Sequence, residues 1–145
     1  MKIEIATEGR ITEWLEFRRI LFGEVDPEIG AFDIDRMLYS ESEQCVFAVE
    51  DGVAIGFAEM ALRNLVDGCR TSPVGYLEGI YVKPEYRGRG IARILLNHAE
   101  QWAISKGCTE FASDTEIQSV ESQSFHRNMG FEETFRLVLY RKELK

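Results

Sequence analysis

A chain of 145 residues is the length of one ordinary domain, long enough to enclose a single core and too short for two, so positions 1–145 are expected to form a single domain. The formal charge of −8 argues against nucleic acid, which requires a basic surface, and would favour a cationic partner, although many soluble proteins are acidic for solubility alone, the stronger reading of charge by itself. No apolar run approaches the roughly 18 residues of a bilayer span, and the opening MKIEIATEGR lacks the apolar core of a signal peptide, so a membrane is excluded and the cytoplasm is expected.

KIEIA alternates as a strand does, and Ile11, Trp14, Leu15, Leu21 and Phe22 then recur at helical spacing until Gly23. After breaks at Pro27 and Gly30, DIDRMLYSES predicts a short second helix with Asp33 as its N-cap and Ile34, Met37 and Leu38 on one face. QCVFAVEDGVAIGFAEMAL predicts an antiparallel hairpin about Asp51-Gly52, a dipeptide that accepts the positive φ angles of a tight type I′ turn. Residues 63–75 are polar and broken by Gly and Pro, a loop long enough to border a site. YLEGIYV returns as a strand, and Ile91, Leu95, His98, Ala99 and Trp102 mark one face of a helix that runs to Lys106, with Gly107 as its C′ residue. CTEFASD predicts another strand, SVESQSFHRNMG a helix closed by Gly130, and TFRLVLYRKEL a final strand. The order β, α, α, β, β, β, α, β, α, β predicts an α/β (α+β) fold, a mixed central sheet with helices on both faces. Cys45, Cys69 and Cys108 stand far apart in no metal-ligand or C-x-x-C spacing, so they read as reduced thiols and give no support for a metal site.

The stretch YVKPEYRGRGIARILL, Tyr81 to Leu96, passes from a strand end through Pro84, two arginines and two glycines into a helix. A helix start offers four N–H groups without helical acceptors and about half a positive charge. Gly88 and Gly90 let the backbone come close to an anion, and Arg87 and Arg89 add charge, so a diphosphate fits here; an ordinary loop ending in a helix cap has the same composition. A P-loop is excluded by the absence of G-x-x-x-x-G-K-[ST], and a dinucleotide fingerprint by the missing third glycine.

The run Arg87-Gly88-Arg89-Gly90-Ile91-Ala92 matches [QR]-x-x-G-x-[GA] and resembles the pyrophosphate loop of the GNAT acyltransferases. The order of elements resembles that family along nearly the whole chain, and FHRNMGFEE is similar to its helix-then-GF closure. The resemblance implies acetyl-CoA as cosubstrate, with its diphosphate on the amides of Gly88 to Ala92 and its pantetheine arm between the LEGIYV and EFASD strands, which would splay apart as parallel neighbours. The cofactor-binding set so implied is Ile80, Tyr81, Val82, Arg87, Gly88, Arg89, Gly90, Ile91, Ala92, Arg93 and Ser119. TSPVGYLEGIYV, GCTEFASDT and GFEETFRLVLYRK further resemble the counterpart segments of the small, dimeric aminoglycoside 6′-N-acetyltransferases. That implies acetyl transfer to an amine of an aminoglycoside, antibiotic resistance, and a homodimer.

Acetyl transfer to an amine requires that the ammonium lose a proton, that the thioester carbonyl be polarised and that the thiolate leave. Glu78 lies mid-strand in an apolar run, on the side of Ile80 and Val82 by the period of two, where a carboxylate needs a cation: a substrate ammonium, or a structural partner such as Arg63 or Arg70. Asp114 ends the neighbouring strand and either completes an acidic amine-binding pair, passing the proton to solvent directly or through water, or makes a helix cap or Asx-turn within SDTE. An unpaired strand N–H in the Ile80–Val82 segment would polarise the carbonyl. Many GNAT members carry a tyrosine four residues before the glycine of the closing GF; His126 stands there, as a leaving-group acid, a group that positions coenzyme A, or a packed helical histidine. The resemblance also implies departures: Ser119 stands where relatives of that subclass are expected to carry an asparagine at the pantetheine, Leu65 and Phe135 where they tend to carry polar substrate-facing side chains, and Phe22 where they carry a tryptophan lining the aminoglycoside site, unless Phe22 is core. Two other functions stay open: a GNAT enzyme acting on a protein N-terminus, a lysine or a polyamine, and a non-catalytic coenzyme A binding module.

Overall fold

Asp51 and Gly52 take φ angles of 51° and 77°, closing the expected hairpin with the turn its sequence encodes. The computed structural model describes residues Met1–Lys145. They divide into two compact units, Met1–Asp114 and Thr115–Lys145. The first contains β1 (Lys2–Ile5), α1 (Ile11–Phe22), α2 (Pro27–Leu38), β2 (Glu43–Glu50), β3 (Val53–Arg63), β4 (Val74–Val82), α3 (Ile91–Ser105) and β5 (Phe111–Ser113); the second contains α4 (Val120–Asn128). The five strands lie in chain order, antiparallel from β1 to β4 and parallel between β4 and β5, which makes the sheet mixed as expected.

Trp14 and Phe17 of α1 and Ile34 and Met37 of α2 close one core over Cys45, Phe47, Val49 and Phe57 of the sheet. The rings of Phe17 and Phe57 lie 5.4 Å apart, and Trp14 meets Phe47 edge-on at 5.9 Å. α3 buries Ile91, Leu95, Leu96, Ala99 and Ala103 against the sheet. Gly75 makes that approach possible, since a Cβ there would come within 2.5 Å of the Ala103 Cβ. No helix is long and apolar enough to cross a membrane.

The second helix and the final strand differ from the sequence expectation. The second helix starts at Pro27, not Asp33: Asp26 is its cap, its carboxylate accepting the Glu28 N–H at 2.8 Å. A proline at the first helical position removes an N–H that has no helical acceptor anyway, so Pro27 starts the helix where it was expected to break the chain. Asp33 lies inside α2 and pairs with Arg36 at 2.8 Å. The expected final strand is absent, because TFRLVLYRKEL has the alternation of a strand but pairs with no other strand, and residues 131–145 form neither helix nor strand.

A β-bulge positions the centre of the molecule. Glu59 of β3 pairs with Gly79 of β4 and Met60 with Leu77, which leaves Glu78 as the extra residue. A bulge re-aims side chains and breaks alternation, and the glycines on either side show it: Gly75 faces Ala103 of α3, whereas Gly79 faces Leu21 and Phe22 of α1. The period-of-two assignment of Glu78 to the side of Ile80 and Val82 therefore does not carry across this point.

Beside the bulge, Glu59 is 3% exposed, accepts a hydrogen bond from Trp14 Nε1 at 2.8 Å and forms an ion pair with Arg18 Nε at 3.1 Å. Burial pushes its carboxyl above the usual range, opposed by Arg18 and Trp14. Glu59→Ala leaves the Trp14 N–H without its acceptor and takes from Arg18 its buried ion-pair partner, and is expected to lower unfolding free energy by about 3 kcal/mol, read as a reduced urea midpoint at unchanged slope. A midpoint equal to that of the parent protein would show that this network contributes nothing to stability.

Candidate active site

β4 outruns β5. Their parallel pairing ends at Leu77 opposite Ser113, so beyond the bulged Glu78 the stretch 79–82 pairs with β3 on one edge and with no strand on the other. This is the open edge expected for Ile80, Tyr81 and Val82. The chain then makes a short 3₁₀ turn at Pro84–Tyr86 and enters α3 through Gly88 and Gly90, at φ 78° and 79°. These left-handed values favour glycine, and a Cβ added at either position would meet no protein atom within 4 Å. The first helical bond of α3 is Ile94 N–H to Gly90 O at 3.1 Å, so the N–H groups of Ile91, Ala92 and Arg93 precede it and have no helical acceptor. Arg87 Nε donates to the Val82 carbonyl at 2.9 Å and ties the loop to the end of β4; Arg89 pairs with Glu50 at 2.8 Å. Arg93 is exposed on the first turn of α3. A bare glycine backbone beside outward N–H groups fits a diphosphate, with two of the three arginines shaping the loop.

At the bulge, Glu78 meets Arg63, the last residue of β3. Arg63 Nη2 donates to both carboxylate oxygens, at 2.7 Å to Oε2, and Nε donates to Oε1 at 3.1 Å. Of the two arginines weighed as partners, Arg63 is the one engaged; Arg70 and Thr71 instead give their backbone N–H groups to Glu110 at 2.8 and 2.7 Å. The Arg63 guanidinium lies 3.5 Å from the centroid of the Tyr76 ring, and the Tyr76 hydroxyl donates to Asp114 Oδ2. Burial, and then the bond to Asp114, push the Tyr76 phenol well above its ordinary value, so it remains a donor across neutral pH. Asp114 caps no helix, since α4 begins at Val120 behind Ser119. Glu78 and Asp114 are thus brought into one cluster through Arg63 and Tyr76. Phe22 ends α1 against Gly79 with Arg18 over its ring at 5.4 Å, half exposed, beside the bulge rather than in the core. Leu65 is 85% exposed in the loop after β3.

Ser119, His126 and Phe135 belong to the second unit. Ser119 precedes α4 without a side-chain capping bond, and Phe135 is exposed in the segment after that helix. His126 Nδ1 lies 2.7 Å from the Ser122 carbonyl, with the Phe125 and Phe131 rings at 5.6 and 5.2 Å. A carbonyl only accepts, so Nδ1 carries the proton and Nε2 of the neutral ring is an acceptor. His126 can donate from Nε2 only as the cation.

A sequence profile described as the acetyltransferase (GNAT) family matches residues 11–131. The chain belongs to the GNAT acetyltransferase family. An aminoglycoside N(6′)-acetyltransferase type 1 from Salmonella enteritidis is 38% identical over 143 residues, spanning 98% of this chain and 99% of the relative. One of the same name from Serratia marcescens is 40% identical over 144 residues, with 98% and 99% covered. The solved structure of AAC(6′)-Iy with the bisubstrate analogue CoA-S-monomethyl-acetylneamine matches with a TM-score of 0.93 at 38% identity, over 99% of this chain and 98% of that one. The apo aminoglycoside 6′-N-acetyltransferase AAC(6′)-Ig from Acinetobacter haemolyticus matches at 0.91 and 39% identity, each chain covered fully at 100%.

Within this GNAT chain, Tyr76 and Glu59 are the two residues the sequence reading passed over. Tyr76 stands within the apolar strand run YLEGIYV, and nothing local distinguishes a phenol that reaches a carboxylate 38 positions away. For Glu59, a carboxylate flanked by apolar residues in AIGFAEMAL was the available signal, the same signal that singled out Glu78. Two cavities, of about 70 and 140 Å³, lie elsewhere, around Trp14 with Cys45 and around Ile11 with Ile34; both are too small for a coenzyme.

Proposed function

We propose that the chain is an acetyl-CoA-dependent aminoglycoside 6′-N-acetyltransferase, a single acetyltransferase domain over residues 1–145. The observation that carries it is the match, along 98% of the chain, to relatives that bear that name. Acetyl-CoA supplies the acetyl group as a thioester. The residues of the loop fit it: amides from Gly88 to Ala92 hold the diphosphate, with Arg93 beside them, and the open edge of β4 at Ile80–Val82 takes the pantetheine and offers an N–H to the thioester carbonyl, a donor of the kind worth about 3 kcal/mol. Glu78 and Asp114 hold the cationic acceptor, and the ammonium proton leaves to solvent from there. Phe22 and Leu65 border the acceptor. The net charge of −8 favours a polycation on its approach.

The molecule works as a homodimer in the cytoplasm. Supporting the dimer, the segment after α4 exposes Leu137, Val138, Leu139, Tyr140 and Leu144, apolar surface that a second copy would cover. Light scattering is expected to give twice the 16.6 kDa chain mass.

Release of coenzyme A thiol, measured with kanamycin, tobramycin, spermine and a lysine peptide, tests the acceptor class. Turnover with the two aminoglycosides is expected. Turnover with the peptide or spermine alone would transfer the assignment to those acceptors, and coenzyme binding without thiol release for any amine would leave a binding module.

A further inference from the structure

Arg63 does to Glu78 what an acceptor ammonium is expected to do. It brings a positive charge to both carboxylate oxygens and lies 3.5 Å from the centroid of an aromatic ring, combining charge-assisted hydrogen bonds with a cation–π contact. A carboxylate has about four lone-pair sites, and Arg63 donates to Glu78 three times. An amine reaching this carboxylate meets occupied acceptors and a like charge. The same Tyr76 ring that carries Arg63 on its face holds Asp114 by its hydroxyl, so both acids are arranged around this one cation. Arg63 also has a way out. It ends β3 where the loop of residues 64–73 begins, and its side chain is 45% exposed, whereas Glu78 is fixed within β4 at 24%.

We propose that Arg63 is an internal occupant of the ammonium position, a specificity-determining residue that the acceptor amine must displace from Glu78. With Arg63 in place, the two carboxylates and the guanidinium leave one net negative charge; an acceptor that brings several charges competes for Glu78, and a lone amine does not. The inference rests on the reading of Glu78 and Asp114 as the pair that holds the amine.

Arg63→Met keeps an apolar stem against Tyr76 and removes the charge. Its KM for kanamycin is expected to fall about tenfold, the effect of deleting one like charge at contact range in a partly solvated site. Glu78→Gln is assayed beside it. A KM that stays or rises in Arg63→Met while Glu78→Gln raises it overturns the displacement and leaves the acidic pair standing. No change in either variant removes the pair, and the inference with it. In the wild-type enzyme with coenzyme A, kanamycin is expected to shift the Arg63 Nε–H signal in side-chain nitrogen spectra and to speed its exchange with water; a signal that does not move overturns the proposal independently of any variant.

Discussion

Gly90→Asp is expected to abolish measurable coenzyme A binding while the fold persists. Gly90 sits at φ 79° immediately before α3, with nothing of the protein within 4 Å of where its Cβ would be. A Cβ here therefore meets open space, and the charge and bulk of a longer side chain fall on whatever the helix start binds. Aspartate tolerates the left-handed region better than most residues, so backbone strain is a small part of the effect. The larger part is a negative charge set against a diphosphate at the positive end of a helix, where charges of the opposite sign are favoured. Gly90→Asn has the same shape without the charge and separates the two. By calorimetry the asparagine variant should bind about tenfold more weakly and the aspartate variant at least about a hundredfold, since each tenfold is about 1.4 kcal/mol. Equal binding by Gly90→Asp and the parent would place the diphosphate elsewhere.

Glu78→Gln should lower kcat/KM for kanamycin by about a hundredfold, within the range for loss of a group that takes part in proton transfer, and leave coenzyme A affinity unchanged. The substitution keeps the shape of the side chain at the bulge and removes the charge that balances Arg63. In that variant the cluster around Tyr76 has no net negative charge, and only Asp114 offsets Arg63 against an incoming ammonium. Asp114→Asn should act in the same direction, because its carboxylate is the other half of the cluster and an amide oxygen can still accept from Tyr76. Unchanged kinetics in both variants would remove the carboxylates from the acceptor site.

Much of this was legible from local pattern. The Asp51-Gly52 hairpin, the apolar face of α3 and the glycines ahead of α3 each rest on a few adjacent residues, and the structure has them where the sequence placed them; α1 instead buries Trp14 and Phe17 and leaves Leu15, Leu21 and Phe22 exposed. The features that escaped depend on distant partners. The bulge at Glu78 is a matter of register between β3 and β4, which alternation within one strand cannot report. The start of α2 turned on whether Pro27 breaks a helix or opens it, and Asp26 decides that by supplying the cap. TFRLVLYRKEL carries the alternation of a strand, yet a strand exists only when another pairs with it, and the segment has none in the chain. At the site, the choice of Arg63 over Arg70 was settled by the loop: Glu110 holds the Arg70 and Thr71 backbone, while Arg63 ends a strand facing Glu78.

Thiol release with neomycin against paromomycin, which differ by a 6′-amine in place of a 6′-hydroxyl, bears most directly on acetyl transfer to the 6′-amine. Steady release with neomycin and none above background with paromomycin is the expected result. Equal rates with the two, or no release with either, would contradict it.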